Sequence, residues 1–307
     1  MILSLAKRIF LPVAIAFLCY FAWRSRQNLV DVVRHAQPVF LLAAVLVWTM
    51  MNAFAAAFAA VFFKRRNESM TAGKAARIHI ANLPARYIPG GVWHTVGRIA
   101  DFRRHGIDAR SISMFVLIEN VLAVCLAFIL AAAMLLGTLG SQGWGRVAAI
   151  CALVSAIALL VMPLVLSARP ADERIRIPAR DYILLILIVA ASWCFAAAAF
   201  VTYLYAFPTL VLQNTPIELA GSYLFSWAAG FVAVFAPQGI GVFEVVAADM
   251  LRGANPLMSM AALIAGFRLV ILAADVTAWL ALRLVSGSAV GERRDLLGDK
   301  PDQENNH

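Results

Sequence analysis

Charged residues are scarce in this 307-residue chain, at 14% against 63% hydrophobic residues. Soluble domains carry about 25% charged residues, and a mean hydropathy of +0.82 is far above what such domains show. The apolar residues form continuous runs rather than the alternating pattern of a barrel strand, and several approach the roughly 20 residues that cross a bilayer as a helix. The sequence therefore predicts an all-α, polytopic membrane protein.

Motifs of enzymes and of metal centres are also missing. The four cysteines lie inside apolar runs without a CxxC spacing, which supports neither a disulfide framework nor a zinc site. A nucleotide-binding loop and a recognisable Ser/His/Asp arrangement are likewise absent. Three histidines have spacings that match no metal-ligand pattern: His79, His94 and His105. We therefore expect no catalytic activity, no cofactor and no metal.

Six apolar runs predict membrane-spanning helices, at about 9–23, 39–63, 111–136, 147–167, 181–206 and 257–285. The first run follows Lys7 and Arg8 in the manner of a secretory signal. No small-residue cleavage site follows it, so we interpret it as a retained helix. Two further apolar stretches, 72–100 and 217–252, are interrupted by Pro and Gly. Residues 286–307 predict a short polar tail.

The net charge of +9 is distributed in a way that indicates orientation. The basic residues lie in the links between apolar runs, which is typical of membrane topology and anionic lipid rather than nucleic-acid binding. If both interrupted stretches enter the membrane and return, most Lys and Arg become cytoplasmic, together with both termini. A full crossing by 217–236 would instead move the basic C-terminal tail outside. We expect the re-entrant arrangement, in the inner membrane.

The order of runs also suggests an internal repeat within one membrane domain, 1–285. Halves of about 1–140 and 141–285 each contain three spans, with a broken segment before the third. Because three is an odd number of crossings, the second half starts on the opposite side of the membrane and is inverted relative to the first. Inverted repeats with broken helices are a transporter architecture. Any chain with six spans can be divided in two, but the matched Pro/Gly breaks favour the repeat.

The first break, Arg86-Tyr87-Ile88-Pro89-Gly90-Gly91-Val92-Trp93, is followed by Arg98. Pro lacks an N–H and Gly permits a positive φ, so this stretch predicts a tight reversal. A helix that begins after Gly91 would point its N-terminal amides at the turn, and two flanking arginines make an anion such as a lipid phosphate the natural guest. Alternatively, the arginines only anchor the segment at the headgroup layer.

The second break begins at Pro237-Gln238-Gly239-Ile240-Gly241 and is followed by Glu244. It predicts another reversal, with an acidic residue in the first turn of the returning helix. The helix dipole favours a carboxylate at that position, so Glu244 also suits a simple capping role.

Three charged residues lie well inside predicted spans, away from their ends, where each costs roughly 2.5–3.5 kcal/mol on insertion scales: Glu119, Arg268 and Asp275. Arg268 and Asp275 share a helix face, but two turns is long for a direct pair. We expect Arg268 to pair with Glu119 or Glu244 across helices. Such a pair either fixes helix packing alone or takes part in binding and gating.

The two broken motifs together resemble the lysylphosphatidylglycerol synthase/flippase transmembrane family. The likeness extends to Glu119 and Arg268, and so covers nearly the whole chain. Gln238 stands where that family usually has Gly, and Asn120 where it commonly has Arg. The resemblance implies an integral membrane protein that binds or translocates a lipid. It covers only the flippase-like portion, since aminoacylation in multi-domain members belongs to a separate soluble domain.

We therefore expect a flippase-like protein with a cavity at the membrane midplane between the two hairpins. Its partners would be membrane lipids with a phospholipid or polyprenyl-phosphate headgroup, and not nucleic acid. The alternative is a non-catalytic subunit that presents a lipid or polyprenyl-linked sugar to a partner enzyme; a membrane-embedded transferase is disfavoured. The Gly90–Gly91 and Gly239–Gly241 turns should approach one another inside the membrane. The expected binding residues are Arg86, Tyr87, Pro89, Gly90, Gly91, Trp93, Arg98, Glu119, Pro237, Gly239, Gly241, Glu244 and Arg268.

Overall fold

The computed structural model describes residues 30, 32–64, 70–88, 92–140, 142–167, 177–210, 212–234, 236–253 and 255–296. The predicted first helix at 9–23, the turn Pro89–Gly91 and residues 297–307 of the tail lie outside the described residues.

The described residues form helices and no strand. In chain order the elements are α1 (Pro38–Lys64), α2 (Ala72–Ala81), a 3₁₀ turn (Leu83–Tyr87), α3 (Trp93–Arg104), α4 (Ala109–Leu139), α5 (Gly143–Ser167), α6 (Ala179–Tyr205), α7 (Pro216–Val232), a second 3₁₀ turn (Pro237–Gly239), α8 (Val242–Leu251) and α9 (Leu257–Leu296). Within this part of the chain, five helices are long and apolar enough to cross a membrane, namely α1, α4, α5, α6 and α9. The predicted all-α polytopic membrane fold is confirmed.

Polar residues cap the N-termini of α2, α4 and α7. Thr71 accepts a hydrogen bond from the Lys74 amide at the start of α2. Asp108 caps α4, and Thr215 and Glu218 form a capping box on α7. Such caps satisfy amides that have no partner within the helix. The caps therefore mark where the helices of the broken segments, α2 and α7, and the span α4 begin.

The last helix is longer than predicted. The apolar run indicated an end near 285, whereas α9 continues to Leu296. Residues 286–296 contain no proline, so nothing in the backbone chemistry of this stretch forces the helix to stop when its apolar character ends.

Each broken segment packs against a span from the other predicted half. α9 packs against α2 and the first 3₁₀ turn, while α4 packs against α7, and α1 lies along α6. Two aromatic clusters join other elements: one links α1, α3 and α4, and the other links α6, α7 and α9. Phe63 and Phe102 surround Phe115 of α4, and Phe200 and Tyr223 pack on Phe267 of α9. Contacts of each broken segment with a span of the other half are what two symmetry-related halves would make. The division into repeats stays a prediction.

Candidate functional site

The two broken segments meet through a hydrogen bond. Gln238 Nε2 donates to the backbone oxygen of Arg86 at 2.8 Å. Gln238 has a φ of 55° and Gly239 a φ of 67°. A Cβ at Gly239 would lie 2.9 Å from the Cα of Gly230, so this turn needs glycine for its space as well as its φ. Arg86 and Gln238 show that the two segments are in contact; the predicted approach of the Gly90–Gly91 turn lies outside the described residues and stays a prediction.

The broken segments bond to residues near the middle of two candidate spans. At 1.5 Å per helical residue, Asn52 lies about 20 Å from either end of α1, and its Oδ1 is 3.1 Å from Nε2 of His79 on α2. Arg268 and Asp275 each lie about 15 Å from the nearer end of the apolar span Leu257–Val285. A hydrocarbon core is about 30 Å thick, so these positions are about half its thickness from the ends of the helices.

Asp275 on α9 anchors the first break. Its Oδ2 accepts hydrogen bonds from Nη1 of Arg86 at 3.0 Å and from the hydroxyl of Tyr87 at 2.9 Å. Asp275 is 1% exposed, whereas the Arg86 side chain is 30% exposed. Within the described residues, Arg86 uses no other guanidinium nitrogen in a hydrogen bond. The arginine is therefore held from one side and open on the other.

Glu244 on α8 anchors the second break. One carboxylate oxygen accepts the amide of Gly241 at 2.6 Å, which caps α8, and the other accepts Nε of Arg268 at 2.6 Å. Glu244 is fully enclosed, while the Arg268 side chain is 34% exposed. Of the two predicted partners of Arg268, Glu244 is the one observed. The capping interpretation of Glu244 is also correct, since it performs both roles.

Arg98 and Glu119 form a third pair with a different character. Nη1 and Nη2 of Arg98 donate to the two oxygens of Glu119 at 3.0 and 2.9 Å, which is the bidentate fork geometry. Only 7% of the Arg98 side chain is exposed. Its guanidinium lies over the rings of Phe115 and Phe102, at 5.0 and 5.9 Å from their centroids. Both Nη atoms of Arg98 are thus used in packing α3 against α4.

A pair of histidines lies behind the first break. The rings of His79 and His94 are in edge-to-face contact at 5.3 Å. His79 is buried, and its Nε2 lies 3.1 Å from Oδ1 of Asn52. These contacts join α2 to the start of α3 and to the middle of α1.

The remaining predicted residues line or shape the two breaks. Trp93 begins α3 and is exposed, Pro237 begins the second 3₁₀ turn, and Gly241 precedes α8 with a φ of 87°. Pro89 and Gly91 lie outside the described residues. Two contributors were not among the predicted binding residues, Gln238 and Asp275. Asp275 was recognisable as a costly intramembrane charge, but its partners lie far away in sequence.

No protein-family model matches the chain, and no curated protein matches it. The resemblance to the lysylphosphatidylglycerol synthase/flippase transmembrane family therefore depends on the two motifs and the intramembrane charges themselves.

Proposed function

We propose that this multi-pass membrane protein binds, and translocates, a lipid with a polar or anionic headgroup at the meeting point of its two broken segments. The headgroup would enter between the first 3₁₀ turn and α8, with its acyl chains remaining in the bilayer. We place the protein in the inner membrane with both termini cytoplasmic. No catalytic step is part of this proposal, and the proposed family membership follows the motif resemblance.

One observation carries the proposal: Arg86 and Arg268 are two mid-membrane arginines with open guanidinium groups. Each bonds to its carboxylate through a single nitrogen, Nη1 in one case and Nε in the other. Arg86 bonds to Asp275, which lies two turns from Arg268 on α9, about 10 Å along the helix, so the two side chains share one neighbourhood. A phosphate oxygen favours such unused N–H donors in a site of low dielectric constant.

The carboxylates Asp275 and Glu244 lower the energetic cost of placing these two arginines inside a membrane. A lone arginine at the centre of a bilayer is costly, and intramembrane charges therefore pair with one another. Each pair here has no net charge while the site is empty. An arriving anion can bond to the outer nitrogens without removing the inner carboxylate, so the arginine need never lose all its counter-charge.

Lipid co-purification tests the binding step. The protein would be purified from membranes in mild detergent, and its bound lipids would be identified by mass spectrometry. We expect phosphate-containing lipid with the unmodified chain. The double variant Arg268→Gln/Glu244→Gln removes both charges together, which leaves no unpaired charge, and should lose that lipid.

The matched control is Arg98→Gln/Glu119→Gln, which removes the enclosed ion pair. It should retain the lipid, because both Nη donors of Arg98 are used and its Nε is buried in an enclosed side chain. Equal loss of lipid from both double variants, at unchanged helical content, would contradict the assignment of the site. Failure of the unmodified chain to retain any phosphate-containing lipid would contradict the proposed function itself.

A further inference from the structure

The Asp275 carboxylate is bonded through one of its oxygens only. Oδ2 accepts from both Arg86 and Tyr87, whereas Oδ1 is buried and has no hydrogen-bond partner among the described residues. Buried polar atoms are almost always bonded, so an exception calls for an explanation. An ionisable group in a span that is incompletely bonded is a functional candidate by default.

We propose that Oδ1 of Asp275 is a proton-binding site, which couples one proton to each anionic headgroup bound at Arg86. The inference rests on the proposed function, because it concerns how that site exchanges its occupants. It assigns a role to a residue outside the predicted binding set and names the coupling ion.

The exchange balances in charge and in bonds. A proton from water forms an O–H bond at Oδ1, and the Arg86–Asp275 pair passes from no net charge to one positive charge. Tyr87 continues to donate to Oδ2, which is then a carbonyl oxygen, so the turn keeps that attachment to α9. Arg86 has lost its counter-ion, and a phosphodiester with one negative charge restores neutrality. No covalent bond of the protein breaks.

Other groups around α9 do not offer this exchange. The elements packed against α9 bring further titratable or charged side chains, among them Lys64 at the end of α1, Lys74, Arg77 and His79 on α2, Glu244 and Asp249 on α8, and Tyr203 on α6. Among described side chains, Arg86 and Tyr87 are the ones that hydrogen-bond to Asp275. Glu244 has both oxygens bonded, and His79 bonds to Asn52. The Tyr203 hydroxyl donates to the backbone oxygen of Leu263.

Linkage makes the coupling reciprocal. If protonation of Asp275 raises the affinity of Arg86 for the anion, the bound anion raises the proton affinity of Asp275 by the same factor, typically on the order of 5- to 150-fold for coupled sites. Lipid binding should therefore be strongest at low pH and weaken as the pH rises. It should also draw a proton from solution at intermediate pH.

Proton uptake during lipid binding tests this directly. Full-length protein in detergent and dilute buffer with a pH indicator dye would be mixed with short-chain phosphatidylglycerol. We expect uptake of about one proton per lipid bound, and an affinity that declines with rising pH. Asp275→Asn keeps the shape and the Tyr87 bond without a charge. It should bind lipid with the low-pH affinity at every pH, and take up no proton.

The control is Asp249→Asn, an exposed carboxylate on α8 that should keep the wild-type pH profile. Lipid binding by the wild type without proton uptake would overturn the coupling, and this result needs no variant. An unchanged pH profile in folded Asp275→Asn would overturn it equally. Absence of lipid binding by the wild type at every pH would instead show that the proposed function fails, and the coupling with it.

Discussion

At the scale of single residues, three arginine–carboxylate pairs of the described helices differ in how many donors the arginine has already used. Arg98 donates through two nitrogens to Glu119 and is enclosed by aromatic rings. Arg86 and Arg268 each donate through one nitrogen and are about one-third exposed. We propose that the number of donors already used, rather than the presence of arginine, separates a packing pair from a binding pair.

The Glu244 carboxylate gives the first prediction at this scale. Glu244→Ala removes the cap on the Gly241 amide and the only ion-pair partner seen for Arg268 in the described structure. Loss of one partner of a buried pair costs about 3–5 kcal/mol, and the melting temperature in detergent should fall accordingly. Asp249→Ala removes an exposed pair with Arg252 and a hydrogen bond from Trp144, and should cost about 1–2 kcal/mol. Equal losses of stability in the two variants would show that the Glu244–Arg268 pair is solvated rather than buried.

At the scale of elements, close packing between short helices decides the shape of both breaks. The first break depends on Gly97 of α3, because a Cβ there would overlap Oδ1 of Asn82. Asn82 in turn donates to Asp101 and to the backbone oxygen of Ile78. This network fixes the angle between α2 and α3.

Gly97→Ala should therefore destabilise the protein by about 1–3 kcal/mol through overpacking. Gly73→Ala is the matched control, since it is also helical and a Cβ there meets nothing within 4 Å. That control should be neutral or stabilising by up to about 1 kcal/mol, because Ala has the higher helix propensity. Thermal unfolding in detergent compares the two. A stable Gly97→Ala variant would show that α3 can move away from Asn82.

The second break depends on Gly239. In Gly239→Ala, the alanine would have to adopt a positive φ, and its Cβ would also clash with the backbone of Gly230. Gly106 shares the positive φ, at 84°, but has open space around it. We expect Gly106→Ala to cost about 1–2 kcal/mol from backbone strain, and Gly239→Ala to cost more and to weaken lipid retention. Equal stability losses with normal lipid content would contradict the close approach of α7 to the turn.

The spans could be predicted from sequence because a bilayer imposes one length and one kind of residue. The five described spans begin and end near their predicted positions, and the pairing of Arg268 with Glu244 was one of two predicted alternatives. The Arg86–Asp275 pair could not be predicted, because its residues are 189 positions apart and meet only once α9 packs on the first break. Periodicity carries no information on such contacts.

At the scale of the whole molecule, one span bonds to both breaks. α9 supplies Asp275 to the first break and Arg268 to the second. This arrangement gives the proposed transporter a physical basis: a headgroup at Arg86 or Arg268 would bond to a side chain that is attached to, or part of, the same helix.

Translocation of a fluorescent phospholipid in reconstituted vesicles tests this account most directly. Label in the inner leaflet is protected from a membrane-impermeant quencher unless the protein moves it outward. The account predicts that wild type and Arg98→Gln/Glu119→Gln expose the inner label, while Arg268→Gln/Glu244→Gln leaves it protected. Protection by the wild type, despite measurable lipid binding, would contradict translocation and favour a subunit that presents lipid to a partner enzyme.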